Sequence, residues 1–368
     1  MTGPEARRAH GRFEWTGAGA PSSGEGDALV GDDAVSIGPV FVEYLDADSF
    51  ADADRVLTLD VHPEGRLTIS MLARRHETFA KALGEARDRA RLAGMLAHGI
   101  TEPRVFDGTL LRPSPARAAR LLVYGTHLAA VPEGADPFQV PYGSVRVVRL
   151  DEGEMSVALE TAEATVVLGR LARMTEEFVR AVSGARDAQA RRLAEIAGSP
   201  LFADGLGVPA KRLREFDRLL EAWSAPERAE GAAAILARAP KGEARIGLVE
   251  LLDPDSDALA AKTPLPENVA AFLLAPIAGE RVVLELLSGP SAATYVFKGE
   301  IEAVNRDLQA LHFRRRPLAL SEKETAGEAG RPYRLAKRRL EPLKRLRAAT
   351  AARLVHDEGW AERLAKLG

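Results

Sequence analysis

The sequence predicts an α+β protein built from several units of antiparallel strands, each followed by a helix. Three observations support this class. A helical stretch occurs twice, short apolar runs with strand character precede both copies, and the chain is longer than one ordinary domain. It has 368 residues, whereas compact domains usually contain about 100 to 200. We therefore expect two or three domains.

The repeated stretch reads LARRHETFAKALGEARD over Leu72–Asp88 and LARMTEEFVRAVSGARD over Leu171–Asp187. Nine of the seventeen paired positions are identical, and they include Phe79 and Phe178. In both copies the apolar residues recur at spacings of three, four and seven, the pattern of an amphipathic helix with one buried face. Both copies are therefore predicted to be helices that close a small β unit.

The repeat is interpreted as a structural signature, since most of its shared residues suit packing. Both copies end in Ala-Arg-Asp. Arg87 with Asp88, and Arg186 with Asp187, are able to form local ion pairs, which usually contribute little at a surface. Function is therefore expected where the copies differ, or in segments without a counterpart.

The first β unit is predicted over residues 27–100. Its strand-like runs lie at 34–37, 40–45, 55–61 and 66–70. A His-Pro-Glu-Gly turn joins the last two runs and predicts a β-hairpin. The preceding residues 1–26 contain GAGAPSSGEG. We expect a disordered tail there, because a phosphate-binding glycine loop would need a strand before it and a helix after it.

The second β unit is predicted over residues 101–200 and repeats this plan at greater length. Its strand-like runs lie at 121–131 (broken at Gly125), 144–150, 155–160 and 164–169. The connections between the last three runs, DEGE and TAE, are short and polar, as antiparallel hairpins require. These runs therefore predict a meander that leads into the second helix.

A strand meander capped by a C-terminal helix resembles pleckstrin-homology-like (PH-like) domains. In that fold the helix closes one end of a partly open barrel, which suits a small sheet that cannot hide its edges alone. The junctions SMLARR and LGRLAR, each before a helix that carries Phe, are similar to tandem PH-like modules of an uncharacterised bacterial family. The resemblance covers residues 27–200 and implies the fold, while the family provides no functional residues.

The C-terminal half divides into four further segments. Residues 201–242 are predicted to be a helical connector, 243–320 a third α+β unit (a divergent PH-like domain or a plain α+β domain), 321–330 a polar linker and 331–368 a basic helical tail. Pro342 is expected to interrupt the tail helices. The phrases ATYVFKG and LHFRRRPLAL are similar to the C-terminal half of the same family.

Composition excludes several classes of function. The chain has no cysteine, which excludes disulfides, thiolate metal sites and cysteine nucleophiles. A formal charge of −3 gives no global sign of nucleic-acid or membrane binding. No apolar run approaches the length of a transmembrane segment, and the N-terminus lacks the apolar region of a signal peptide. The sequence therefore predicts a soluble cytoplasmic protein, and its richness in Ala, Arg, Gly and Pro suggests a bacterial genome of high GC content.

The basic C-terminal segment is the clearest functional lead. From Arg331 to Arg347 the chain carries eight Lys or Arg residues and one acid, Glu341. The candidate residues for binding a phosphate or a partner are Arg314, Arg315, Arg316, Lys337, Arg338, Arg339, Lys344, Arg345 and Arg347. Such a charge asymmetry can bind nucleic acid or an anionic lipid surface. In the alternative interpretation the segment packs on acidic neighbours, with its leucines turned inward.

No motif indicates catalysis, a cofactor or a metal. Asp253, Asp255 and Asp257 match the opening of a calcium loop, but Ala258 and Pro264 replace its glycine and its last carboxylate. The histidines show no metal-ligand spacing, and no nucleophile elbow is present. We therefore predict no catalytic, metal or cofactor site and no enzymatic activity.

The sequence is compatible with two functions from different classes. The first is a non-enzymatic scaffold or adaptor that contacts an unidentified protein through exposed sheet edges or grooves between domains. The second is a nucleic-acid-associated protein that binds phosphates through the basic tail. Lipid headgroup binding by the first two units is disfavoured on charge, since the loop regions LDADSFADAD and VPEGADPFQVP are acidic or neutral.

Overall fold

The computed structural model of the chain describes residues 4–17, 22–61, 65–95, 102–133, 135–161, 164–198, 208–209, 213–240, 243–250, 269–287, 293–311, 316–327 and 331–366. Over these ranges the protein is a mixed α+β structure with antiparallel sheets, one of them strongly curled. The predicted α+β class is thereby confirmed. None of the described helices combines the length and the apolar character needed to cross a bilayer.

The first unit is one seven-stranded sheet closed by one helix. Its strands are β1 (Arg8–Gly17), β2 (Ser22–Val30), β3 (Ala34–Ile37), β4 (Val40–Glu43), β5 (Ala47–Ala53), β6 (Val56–Val61) and β7 (Gly65–Ser70). They are ordered β4-β3-β2-β1-β7-β6-β5. Helix α1 (His76–Gly94) buries Phe79 against this sheet. The predicted hairpin is confirmed, since β6 pairs with β7, although its turn residues 62–64 lie outside the described residues.

The second unit has the same plan. Its strands are β8 (Arg104–Arg112), β9 (Arg117–Val123), β10 (His127–Pro132), β11 (Phe138–Pro141), β12 (Val145–Asp151), β13 (Ser156–Thr161) and β14 (Thr165–Gly169), and its helix is α2 (Thr175–Ala197). The order β11-β10-β9-β8-β14-β13-β12 corresponds strand by strand to that of the first sheet. The predicted break at Gly125 and the predicted meander are confirmed. Local periodicity had missed β8 and β11.

The turn from the last strand into the closing helix has the same backbone conformation in both units. Leu72 and Leu171 are buried at this turn. The residues on either side of each leucine have positive φ: +59° at Met71, +49° at Ala73, +55° at Arg170 and +49° at Ala172. Side chains other than glycine adopt this region rarely. The repeat therefore extends from the sequence to an unusual backbone geometry.

Each buried leucine lies over a glycine of the unit's first strand. A Cβ added at Gly11 would lie 2.7 Å from Leu72 Cδ2, and one added at Gly108 would lie 3.0 Å from Leu171 Cδ2. Both distances are shorter than ordinary carbon contacts of about 3.5 to 4.0 Å. At Gly11 the added Cβ would also lie 2.7 Å from the backbone oxygen of Ser70, so the contact there is the more severe of the two.

A buried tyrosine follows the fourth strand of both sheets. Tyr44 and Tyr142 are 0% and 2% exposed. The Tyr44 hydroxyl donates to the carbonyl of Gly31 at 3.2 Å, and the Tyr142 hydroxyl donates to the carbonyl of Tyr124 at 3.0 Å. Burial raises the pKa of both phenols. These tyrosines share a role although they lie outside the repeated stretch that the sequence revealed.

The free energy of unfolding is expected to decline above a pH of about 10, where phenols of an unfolded chain ionise. Tyr44→Phe and Tyr142→Phe should each make this decline smaller. A group whose pKa is raised by folding stabilises the protein fully below its unfolded pKa, and this contribution is lost as the pH rises. Urea unfolding between about pH 8 and 11 measures the effect. If the double variant keeps the same decline as the parent, the buried phenols do not cause it.

The third unit is a six-stranded sheet with helices on it. Its strands are β15 (Val208–Pro209), β16 (Arg245–Glu250), β17 (Val269–Ile277), β18 (Arg281–Leu286), β19 (Ala293–Lys298) and β20 (Thr350–Val355), in that spatial order. Helices α3 (Leu213–Trp223) and α4 (Pro226–Leu236) lie in the segment predicted to be helical, which also contains β15 of the third sheet. Neighbouring strands follow chain order throughout, so this sheet differs from the first two.

A chain of short helices connects β19 to β20. They are α5 (Ile301–Ala310), α6 (Arg316–Ala319), α7 (Glu322–Ala326), α8 (Arg331–Arg339) and α9 (Glu341–Ala349), and α10 (Trp360–Ala365) follows β20. The predicted helix after the third set of strands is confirmed by α5. Pro342 lies in the first turn of α9, where proline is tolerated, and so separates α8 from α9 as expected.

The prediction of a disordered tail over residues 1–26 is wrong for most of that segment. Strand β1 pairs with β2 on one side and with β7 on the other. Within β1, Ala9, Gly11 and Phe13 alternate as buried positions with exposed polar ones. The glycines of β2 gain strand structure from this pairing, because tertiary context overrides weak local β-propensity.

Two predictions for the C-terminal segments also need correction. The supposed polar linker 321–330 contains α7, which begins with a capping box between Ser321 and Glu324. The supposed helical tail contains β20, in which Arg353 pairs with Tyr295 of β19. The pairing partner lies far back in the chain, and local periodicity therefore could not reveal this strand.

The three units share one apolar cluster. Its members include Leu92 of the first unit, Leu122 of the second, and Phe272 and Leu308 of the third. Leu343 of α9 lies in the same cluster. The junction of the units is therefore packed with apolar side chains, and separate clusters fill the interior of each sheet.

Candidate functional site

The basic segment Arg331–Arg347 lies against the rest of the chain. Helix α8 packs against α1 of the first unit, and α9 packs against α5 of the third. Leu340, Leu343 and Leu346 are buried, which follows the inward leucine pattern of the packing interpretation. The basic side chains of this segment therefore lie close to acidic residues of the rest of the chain.

The basic residues of α8 meet acids of the first and second units. Arg334 forms an ion pair with Glu43 at the end of β4. Arg338 donates to the carbonyl of Leu45 at 3.2 Å and lies 3.7 Å from Asp46. Arg339 pairs with Asp48 and donates to Asp136 of the second unit at 2.7 Å. Helix α8 therefore joins the two repeated units electrostatically.

The basic residues of α9 meet acids and carbonyls of the third unit. Arg345 holds the buried Asp307 through three hydrogen bonds, at 3.2, 2.9 and 2.5 Å. Arg347 donates to the carbonyls of Pro317 and Leu320 at 2.8 and 2.9 Å and pairs with Glu322. Charge-assisted, bidentate contacts of this kind are the strong ones.

The two lysines among the candidate residues also pair with acids. Lys337 pairs with Glu322, and Lys344 pairs with Glu341 at 2.6 Å. Arg314 and Arg315 lie outside the described residues, and the described part of Arg316 is its backbone at the start of α6. All six candidates with described side chains therefore have an acidic partner within this chain.

The end of the repeated stretch has different roles in its two copies. In the second unit, Arg186 and Asp187 form the local pair that the sequence suggested, at 3.2 Å. In the first unit, Arg87 is 4% exposed and donates to the carbonyls of Ala47 and Asp48. Burial, and secondarily the charge of Arg91, lower the pKa of Arg87 to about 10.

Two neighbours of Arg87 reach into the second unit. Asp88 accepts from Arg120 of β9 at 2.6 Å, and burial raises the pKa of Asp88. Arg91 is 1% exposed and donates to Asp136 and to the carbonyl of Ala135. The sequence contained an indication of this junction, because the acidic run LDADSFADAD is able to form ion pairs with a basic helix.

An open cavity of about 510 Å³ lies at one end of the first sheet. It is lined by Trp15, Ser22, Pro39, Val40, Phe41, Val42, Glu43, Asp46 and Val61. Six of the nine lining residues are apolar, and Glu43 and Asp46 contribute two carboxylates. Phe41 is one of the large apolar residues that are exposed among the described residues, at 63%. Sequence reasoning missed this cavity because residues from four strands form it.

The cavity lies beside an unpaired sheet edge. Strand β4 is the last strand of its sheet and pairs with β3 alone, through the two-residue turn Gly38-Pro39. In such a hairpin the closing pair, Ile37 with Val40, is hydrogen-bonded, and bonded pairs then alternate with non-bonded ones. The backbone N–H and C=O of Phe41 therefore point away from β3, and neither has a partner among the described residues.

The equivalent edge of the second unit is covered. Strand β11 corresponds to β4, and the residue in the place of Phe41 is Gln139. Gln139 donates from Nε2 to the carbonyl of Ala310 at the end of α5, at 2.7 Å. The chain thus uses this edge as a docking surface in one copy and leaves it open in the other.

A comparison with protein-family models gives no match for this chain, and a search of curated proteins gives none either. No activity can therefore be transferred to the chain from a relative. The contacts of its own residues carry the functional proposal, and the resemblance to PH-like domains stays a prediction.

The third unit holds a buried polar cluster with the residue types of a catalytic triad. His356 Nε2 lies 2.8 Å from Glu285 Oε1 and 3.0 Å from Thr294 Oγ1. In a triad the acid and the nucleophile contact opposite ring nitrogens, whereas here one nitrogen contacts both. Thr294 is 0% exposed, donates to Glu285 and accepts from Trp360 Nε1 at 2.7 Å. This cluster therefore suits holding β20 and α10 on the sheet.

No group of three or more metal-ligating side chains is found among the described residues. Asp253, Asp255 and Asp257, which resemble the opening of a calcium loop, lie outside them. The cavity of the first unit is therefore the strongest candidate site.

Proposed function

We propose that this protein is a non-enzymatic cytoplasmic scaffold or adaptor, built from tandem PH-like domains, that acts through protein–protein contacts. The observation that carries the proposal is the open edge of β4 beside an apolar cavity. Exposed edges are usually protected, so an unprotected one next to an exposed aromatic residue is typical of an interaction surface. The shared strand order of the first two sheets supports the PH-like assignment.

The non-enzymatic character is supported by the state of the polar clusters. Catalytic groups need access to substrate and a cleft that holds it. Glu285 and Thr294 are buried, the His356 side chain is 14% exposed, and none of the three lines the cavity of the first unit. That cavity in turn contains no nucleophile paired with a base. Binding is therefore the function that its residues suit.

The scaffold proposal is tested by site-specific photo-crosslinking in the native cells. Phe41→p-benzoylphenylalanine is expected to give one discrete adduct that mass spectrometry identifies as a protein. Met155 of the second unit, 49% exposed, provides the control position. The purified partner should then bind the parent chain and lose affinity about tenfold or more with Phe41→Asp. Equal adducts at both positions, or none at position 41, would refute the proposal.

The full-length chain is expected not to bind duplex DNA or RNA, even at a salt concentration of about 50 mM, where phosphate contacts are strongest. The reason is that Arg338, Arg339 and Arg345 are engaged by acids of the chain itself. Fluorescence anisotropy with labelled duplexes measures this. Salt-dependent binding that is lost in an Arg338→Glu, Arg339→Glu variant of unchanged melting temperature would revive the nucleic-acid alternative.

A further inference from the structure

We propose that the edge of β4 receives an extended peptide strand from a partner protein, in which basic residues alternate with apolar ones. This inference rests on the proposed function and names the chemistry of its partner. The peptide would extend the first sheet beyond β4, with its apolar side chains beside Val40 and Val42 and its basic side chains beside Glu43 and Asp46, all four of which line the cavity.

The backbone of β4 provides the first half of the recognition. The outward N–H and C=O of Phe41 are positioned to exchange hydrogen bonds with an added strand, as edge strands do in β-augmentation. Such bonds are independent of side-chain identity and therefore fix the register and direction of the peptide. At the equivalent position of the second unit, the Gln139 side chain donates to the carbonyl of Ala310 in α5.

The side chains on the two faces of β4 provide the second half of the recognition. Successive side chains of a strand point to opposite faces. Val40 and Val42 are 9% and 4% exposed and face the interior, where Trp15 and Val61 continue the cavity. An added strand would present every second residue to this apolar side. Valine-sized or isoleucine-sized side chains suit it, because burying them removes apolar area from water.

The other face of β4 selects positive charge. Phe41 and Glu43 share it, and Asp46 lies just beyond the strand on the cavity wall. A Lys or Arg opposite Glu43 gains a cross-strand ion pair, and one over Phe41 gains a cation–π contact. The chain's own α8 demonstrates the preference, since Arg334 contacts Glu43 and Arg338 lies near Asp46.

The two carboxylates retain room for a ligand. The Glu43 side chain is 26% exposed and the Asp46 side chain 38% exposed, although each has an Arg of α8 beside it. Each carboxylate therefore keeps a part that faces solvent, and a carboxylate accepts about four hydrogen bonds. The peptide therefore does not require α8 to leave.

The test uses the full-length protein and a fluorescein-labelled, acetylated octapeptide of alternating Lys and Val. Fluorescence anisotropy is expected to show binding, with affinity about tenfold or more lower for the matched Glu–Val peptide. Phe41→Ala removes the ring and keeps the outward N–H, whereas Phe41→Pro removes both. Proline is tolerated on an outward-facing edge position, so β4 should remain folded, which the melting temperature checks.

Phe41→Pro is expected to bind the Lys–Val peptide about tenfold more weakly than Phe41→Ala does, because one backbone hydrogen bond is lost. Glu43→Gln keeps the shape of the side chain and should reduce both the affinity and its dependence on salt. Equal affinities for the Lys–Val and Glu–Val peptides, equal binding by the Ala and Pro variants, or no binding at all would overturn the inference.

Other occupants of the edge have distinct outcomes. A second copy of this chain at β4 would give a dimer in sedimentation velocity that Phe41→Pro dissociates, and this result would overturn the peptide assignment. A crosslinked partner at position 41 without Lys–Val binding would leave the scaffold proposal standing and reject only the peptide chemistry. Lys–Val binding without any adduct in cells would refute the scaffold proposal. It would also overturn the assignment of the peptide to a partner protein.

Discussion

Phe79→Ala and Phe178→Ala are each expected to lower the free energy of unfolding by about 3 to 5 kcal/mol. Both rings are 0% exposed and lie between a closing helix and its sheet. Removing either ring leaves a cavity that the rigid sheet cannot fill. Phe178 also makes an edge-to-face contact with Phe106, with centroids 5.2 Å apart, so its loss should be the larger of the two.

Urea unfolding followed by far-UV circular dichroism measures this prediction. Met71→Ala and Met155→Ala are the controls, since both residues are about half or more exposed (68% and 49%). These controls should change stability by less than about 0.5 kcal/mol. A loss below about 1 kcal/mol for both phenylalanine variants would show that the helices do not close the sheets as described.

Arg87→Ala is expected to cost about 2 to 4 kcal/mol, whereas Arg186→Ala at the equivalent position should cost less than about 1 kcal/mol. Arg87 is buried, and its loss leaves the carbonyls of Ala47 and Asp48 without their donor. Arg186 makes a partly exposed pair with its sequence neighbour. Identical side chains at matched helix positions thus isolate the effect of surroundings.

The comparison also separates two interpretations of the repeat. If the repeat were a surface feature in both units, the two substitutions would have equal and small effects. Thermal and urea unfolding of both variants under the same conditions decide between these cases. Arg87→Met, which keeps much of the apolar stem, should recover part of the packing but not the hydrogen bonds, and so should lie between Arg87→Ala and the parent.

The candidate site was only partly accessible from the sequence. Phe41 and Glu43 lay within a run that the sequence assigned to a strand, and exposed sheet edges were expected to be contact surfaces. Which strand would form an edge depends on the pairing of β1 with both β2 and β7. That pairing joins residues as far apart as Arg12 and Ser70, and no local pattern encodes it. The cavity could therefore not be located in advance.

The sequence likewise could not determine what the charges of the basic segment contact. Its composition is equally compatible with a phosphate-binding surface and with an internal junction. Each alternative places Lys and Arg on helices with buried leucines, so periodicity cannot separate them. Only the tertiary structure shows that the segment meets Glu43, Asp48 and Asp136, because an ion pair is a property of two segments brought together.

The sequence by itself determined the α+β class, the two closing helices, the hairpin of β6 and β7 and the meander of β12 to β14. Each of these depends on contacts between residues close in the chain, where hydrophobic periodicity and turn residues are informative. Tertiary structure alone decided the strands β1, β2 and β20, the burial of Arg87 and the open edge at Phe41. These features depend on distant partners, whose pairing gives weak local segments their structure and sets which charges and edges remain exposed.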